Sequence, residues 1–476
     1  MKSSTAGFAK SGESSGTNQL LKRKISFKPG KLDKFILAQV AWCTIPALVL
    51  VRMGSLKLGS IWCFAFLLAF LSMYALKRNI PAFVAISVAA LPALSYTREY
   101  FFYNSVLALL SLGLGLWFVR SPKEFSKLWD NQLIRWFFIT GTVYWLVSVL
   151  LTRQYHSNLR VMEMLCSAGS IYLLAKHPKY LASALAGLGI SIFSVAIGMI
   201  GQGDRMGMAE IDGENVGNPI SFGLPVALFL VLAIADNAKW LFLQHSKIIR
   251  NVLIAMCGVF LLLSTSRGSL LVAFVGIAVA VFYQSQQRRK IFVAFLIMGC
   301  VLFGVLQTKS GEKAFIWFEK LTESDRSLTS KTSGRYEMWL LFPRVIEDFP
   351  IWGVGPGLGK EAYAYYSLIN KDVTFKKGKE MAWHSLYLTV GVETGIMGLA
   401  ILAVFLSMLI FRGIWYRQVT GNVLPLIGII CFMTIGISVP ALDGISGLFL
   451  GLAFLGTMPL QRQMAERLSQ QNQGEN

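Results

Sequence analysis

Residues 251–284 form one apolar run of 34 residues with a single charged side chain, Arg267. At about 1.5 Å per residue, a continuous helix of that run would be about 51 Å long, against a hydrocarbon core of about 30 Å. One span cannot absorb it, so the run predicts a helical hairpin. Ser264–Thr265–Ser266–Arg267–Gly268–Ser269 is its turn, which puts Arg267 at a membrane surface. Composition extends this reading to the whole chain. Of 476 residues, 54% are hydrophobic and 15% charged, and mean hydropathy is +0.56. Soluble domains carry about 25% charged residues, so there are too few here to cover polar surfaces. A disordered protein, a nucleic-acid factor and a secreted disulfide scaffold are excluded. The six cysteines all fall inside apolar runs with no CxxC pair, and read as packing residues.

The fold class is an all-α integral membrane protein of about fourteen transmembrane helices. They are expected near 35–51, 59–76, 80–95, 101–119, 136–151, 161–175, 180–201, 217–235, 251–266, 268–284, 291–307, 384–411, 422–438 and 444–460. Residues 1–34 form a basic cytoplasmic tail and 461–476 a second tail. Residues 308–383 form one large, partly helical loop outside. Net charge is +20, and the 45 Lys and Arg set the orientation. With a cytoplasmic N-terminus, inside segments carry 26 of them and outside segments 19, of which 12 lie in the 308–383 loop. Loops beyond about 60 residues escape the positive-inside rule, which leaves 26 against 7. The outer face then holds Arg98, Arg153, His156, Arg160, Arg205, Arg267 and Asp443.

Of four histidines, His384 is the chemical candidate, because it opens a spanning helix directly after the large loop. In a first helical turn the dipole favours the neutral imidazole, the form that acts as a base. An interfacial histidine that simply packs is the alternative. Gly391, Gly395 and Gly398 fall within about 40° of His384 on a helical wheel, and Gly391 and Gly395 make a GxxxG packing pair. Glu393 falls on the opposite face and is not paired with His384. Arg267 presents a donor fork suited to a phosphate or diphosphate; a snorkelling interfacial arginine is the alternative. Arg335 is one loop arginine among several, and Arg153, Arg160 and Arg205 are further outer-face candidates. Gly353–Lys360 lacks the spacing of a nucleotide-binding loop and reads as a turn cluster. Asp204, Glu210, Asp212 and Glu214 read as a solvated acidic loop rather than a cation site. No metal site and no cofactor are expected.

His384–Ser385, nine residues and then Gly395–Ile396–Met397–Gly398 resemble the H[NSQ]-x9-G-x-x-[GTY] signature of O-antigen ligases. Ser333–Trp339 and Pro350–Gly357 are similar to the large periplasmic loop of that superfamily, and Ser264–Gly268 to its turn arginine. The resemblance covers roughly residues 250–410 and extends to O-antigen polymerases and protein O-oligosaccharyltransferases. It implies a metal-independent GT-C-like glycosyltransferase of the bacterial inner membrane. It would move a glycan from undecaprenyl diphosphate to a hydroxyl of lipid A core, or of another lipid-linked glycan, on the periplasmic side. His384 would activate the hydroxyl, and Arg267 and Arg335 would hold the diphosphate. The alternatives are a polymerase of lipid-linked repeats and, further off, a polysaccharide transporter or flippase.

Overall fold

The structure, a computed structural model, describes residues 32–53, 56–96, 103–153, 155–199, 209–211, 214–216, 218–235, 247–283, 332 and 334–458. Among them are sixteen α-helices. The first eight are α1 (Lys34–Arg52), α2 (Leu56–Leu76), α3 (Ile80–Tyr96), α4 (Tyr103–Arg120), α5 (Pro122–Trp129), α6 (Gln132–Thr152), α7 (Tyr155–Leu174) and α8 (Pro178–Met199). After a small hairpin come α9 (Pro219–Ala235), α10 (Lys247–Ser264) and α11 (Arg267–Tyr283). Then follow α12 (Arg335–Asp348), α13 (Gly359–Ile369), α14 (Leu386–Thr420), α15 (Leu424–Ser438) and α16 (Gly444–Phe454). Thirteen of the fourteen expected segments coincide with helices; 291–307 lies outside the described residues.

Among the described residues three helices, Gln132–Thr152, Pro178–Gly198 and Leu386–Thr420, are long and apolar enough to cross a membrane, and nine shorter ones are apolar. Helices α9, α15 and α16 are buried along most of their length at the centre of the bundle. A helix apolar all round belongs in such a place. The hairpin turn is as short as the sequence implied: Thr265 adopts a left-handed φ of 50° between α10 and α11.

Two features differ from an all-helical reading. Ala209–Ile211 and Glu214–Val216 pair as a two-stranded antiparallel sheet, with Glu210 opposite Asn215. The GxxxG contact of the bundle is also elsewhere. Gly447 and Gly451 of α16 press on the backbone of Met164 and Ala168 in α7, because small residues let two helices close up.

The described part of the 308–383 loop is a unit with its own core. Met338, Leu341 and Val345 of α12 pack with Tyr363 and Tyr366 of α13, and with Trp383, Leu388 and Val392. At the far end of the bundle from this unit, Glu124 accepts from Trp117 Nε1 at 2.9 Å and lies 3.2 Å from His177 Nε2. That accounts for His177 as a packing residue.

Candidate functional site

The site is built around a break in α14. Gly395 has φ 65° and ψ −161°, so the 35-residue helix is two helices joined at this residue. Breaking a helix strands carbonyls on one side and N–H groups on the other. The Pro350–Gly355 turn supplies the missing partners. Val354 N donates to Val392 O at 2.8 Å and Gly355 N to Glu393 O at 3.1 Å. Ile396 N donates to Pro350 O at 2.9 Å and Met397 N to Ile351 O at 3.4 Å. The two chains touch through glycines, Gly353 (φ 66°) and Gly395 (φ 65°), and a Cβ on either would run into the other's backbone. Gly395 is therefore not half of a packing pair, which corrects the helical-wheel reading. The glycine-rich 353–359 turn is a plug for a broken helix.

The break brings Glu393 into play. Its carboxylate, 6% exposed, accepts from the Tyr144 hydroxyl of α6 and from Gly357 N at 2.6 Å. It thereby ties α6, α14 and the plug together. Glu393 and His384 line the same cavity, of about 680 Å³. The expectation that they face apart is wrong, because the wheel assumed a helix running through His384. Helix α14 starts at Leu386 and Ser385 is its N-cap residue.

His384 sits on the strand of chain that enters this helix, and its neighbours are fixed on both sides. Trp383, 1% exposed, donates Nε1 to Gly359 O at 2.7 Å. Ser385 Oγ donates to Gly436 O at 3.0 Å. Further back, Glu337 accepts from Thr374 N at 2.9 Å, Thr374 Oγ1 at 3.0 Å and Phe375 N at 2.7 Å. Burial, and then the positive field of Arg335, Lys376 and Arg160, lowers the His384 pKa from 6.5 to about 4. The imidazole is neutral at pH 7, as expected, but burial and cations rather than the first turn of a helix account for it.

Arg335 opens α12 behind Gly334, which has φ 80°. Arg335 lines the cavity, and its Nε is buried without a hydrogen-bond partner among the described residues. Burial and the nearby Arg267 both lower its pKa, yet a guanidinium keeps its charge in proteins. The two guanidinium groups lie within each other's field, a repulsion that an anion between them would relieve. Arg267 opens α11 beside Arg335 but does not itself line the cavity.

Arg160 lines it too, with Lys360, Glu163 and Asp443. Asp443 also caps α16, accepting from Ser446 N at 2.8 Å. Arg153 ends α6 with φ 54° and stands exposed, away from the cavity. Arg205 lies outside the described residues, as do the side chains of His156 and of the 204–214 acidic cluster. Sequence reasoning missed Glu393, Tyr144, Glu163 and Lys360. Glu393 carried a signal, since a lone acid inside an apolar helix marks a functional site by default.

The family model described as O-antigen ligase matches residues 252–403. That segment contains Arg267, Arg335, His384, the plug and the helix break. No curated protein matches the chain.

Proposed function

We propose, because the O-antigen ligase family model matches residues 252–403, that this chain transfers a glycan from undecaprenyl diphosphate to a sugar hydroxyl. The acceptor in this reading is lipid A core, and the cavity faces the periplasm from the bacterial inner membrane. The observation that carries the proposal is the meeting of His384, Arg335 and Arg160 in one cavity, with Arg267 beside Arg335. These residues lie far apart in sequence and are brought together by three different helices and a loop.

The chemistry follows from their charges. A diphosphate leaves readily once its charge is met, and the guanidinium groups of Arg335 and Arg267 do this. A sugar hydroxyl is a poor nucleophile, so a neutral imidazole that takes its proton lowers the barrier. Burial, and then the cations, depress His384. A bound diphosphate cancels their field and raises its basicity when a proton must move. A single in-line displacement inverts the anomeric carbon, and no nucleotide is consumed.

The test is a gel profile of envelope glycans from a deletion strain complemented with wild type or His384→Ala. Bare lipid A core with accumulating lipid-linked polymer is expected in the deletion and in His384→Ala. Single repeats on the core would instead identify a polymerase. A wild-type ladder from His384→Ala at equal expression would overturn the catalytic reading.

A further inference from the structure

The Pro350–Gly355 plug fixes a second property of the unit, its depth in the bilayer. The apolar stretch of α14 ends at Phe411, followed by the exposed Arg412. A core of about 30 Å takes about 20 residues at about 1.5 Å each. Counting back from Phe411 reaches Val392, and a tilt of about 20° moves this by about one residue. The outer edge of the hydrocarbon therefore lies at the helix break. The plug is hydrogen-bonded to residues 392, 393, 396 and 397, so its tip sits at that edge.

What the tip presents is apolar. Trp352 is 73% exposed and Ile351 55% exposed. On the part of α14 that starts at the break, Ile396 is 54% and Ile401 59% exposed. On α12, which leads into the tip, Tyr336, Trp339 and Leu340 stand exposed at helical i, i+3, i+4 spacing. Tryptophan and tyrosine at the border between hydrocarbon and headgroups are an anchor pattern. An exposed apolar patch of this kind on a soluble loop would be a liability.

We infer that α12 and the 349–352 tip form an interfacial anchor. They dip into the headgroup region of the leaflet on the cavity's side, with phospholipid as the occupant of the aromatic face. The anchor starts at Arg335, so it holds the mouth of the cavity at headgroup height. A diphosphate-linked lipid carries its charge at that height. The inference goes beyond the glycosyl-transfer reading and does not depend on it.

The test is photocrosslinking of the full-length protein in vesicles of phosphatidylethanolamine and phosphatidylglycerol. Benzoylphenylalanine is placed at 352, at 401 as a lipid-facing reference, and at 377, an exposed lysine position of the same unit. Phospholipid adducts are expected at 352 and 401 in similar yield, with few at 377. Yield at 352 no higher than at 377, with 401 still labelled, overturns the anchor. In native membranes, glycan adducts at 352 in place of phospholipid also overturn it, because the aromatic face then serves sugar stacking. If the 352 variant does not elute as a folded protein, the same comparison at 339 decides.

Discussion

The bundle and the 334–397 unit hold themselves together differently. In the bundle, side-chain hydrogen bonds are mostly local, as when Ser194 Oγ donates to Ile190 O and Thr434 Oγ1 to Ile430 O, four residues back in each case. Its helices meet through apolar and small side chains, and many hydrophobic residues could serve at each place. In the unit, buried polar groups reach across 24 to 38 residues: Trp383 to Gly359, Glu393 to Gly357, Glu337 to Phe375. Such bonds have few substitutes, because a buried donor or acceptor without its partner costs about 1–3 kcal/mol. Packing positions the helices; specific polar bonds shape the cavity. The candidate chemistry lies where the second kind is concentrated.

The largest effect should come from the group this frame presents. His384→Ala removes the proposed base while leaving Trp383 and Ser385 anchored, so transfer should fall about 10²–10⁴-fold with the thermal midpoint unchanged. Product formation from purified lipid-linked donor measures the first and unfolding in detergent the second. Loss of both together would mean that His384 is structural.

The same glycine-to-alanine change in the two regions tests the comparison directly. Gly395→Ala forces a side chain onto φ 65°, ψ −161° and into the backbone of the plug, which cannot move aside. Such backbone strain costs about 1–3 kcal/mol, so the unit should loosen and its thermal midpoint drop. Gly276→Ala in α11 meets side chains instead, Val231 Cγ2 at 2.7 Å and Cys431 Sγ at 2.8 Å. Val231 presents both methyls there, Cγ1 at 3.0 Å, so the buried side chains must shift, at about 1–3 kcal/mol for overpacking. Alanine regains about 1 kcal/mol of helix propensity, so the net loss should be smaller than at Gly395. Equal losses at both positions would erase the distinction drawn above.

Glu393→Gln is subtler. Tyr144 and Gly357 N both donate to Oε2, so the amide keeps its oxygen there and turns its NH2 toward the Gly359 backbone N–H, which also bonds the carboxylate. That N–H loses its acceptor and the other two bonds lose their charge, for a loss of about 1 kcal/mol, read from the same melts. Tyr144→Phe in the Glu393→Gln background should add less than it does alone, because the two share one bond.

The bundle was legible because hydropathy and length decide it. The 251–284 hairpin and twelve of the other thirteen segments could be read from apolar runs alone. The site was legible only in part. His384, Arg335 and Arg267 stood out through the resemblance and through charge in an apolar setting. Glu393 did not, because a helical wheel cannot see that α14 starts two residues after His384 and breaks at Gly395. The plug did not either: a glycine-rich turn shows that the chain bends, not which distant carbonyls it will satisfy. Arg160, Glu163 and Tyr144 come from α6 and α7, outside the matched segment, and only tertiary structure brings them in.

The smallest expected effect is a displacement along the pH axis. The acid limb of kcat/KM reports the free enzyme's base. Burial first and cations second hold His384 at about 4 rather than 6.5, so the limb should fall near pH 4. Arg335→Gln removes one cation but leaves the burial, so the limb should move upward and stop short of 6.5, whatever happens to the plateau. Stability has a definite sign as well. The folded pKa is depressed, so the unfolded chain binds the extra proton between about 4 and 6.5. Above 6.5 His384 is neutral in both states and has no linked effect, so stability is full there, and it is lost as pH falls through that window. The wild-type thermal midpoint should therefore drop more steeply from pH 7.5 to 5 than that of His384→Ala. Parallel slopes would mean that another group titrates there, and a limb near 6.5 in wild type would mean that His384 stands in water rather than in a cation-lined cavity.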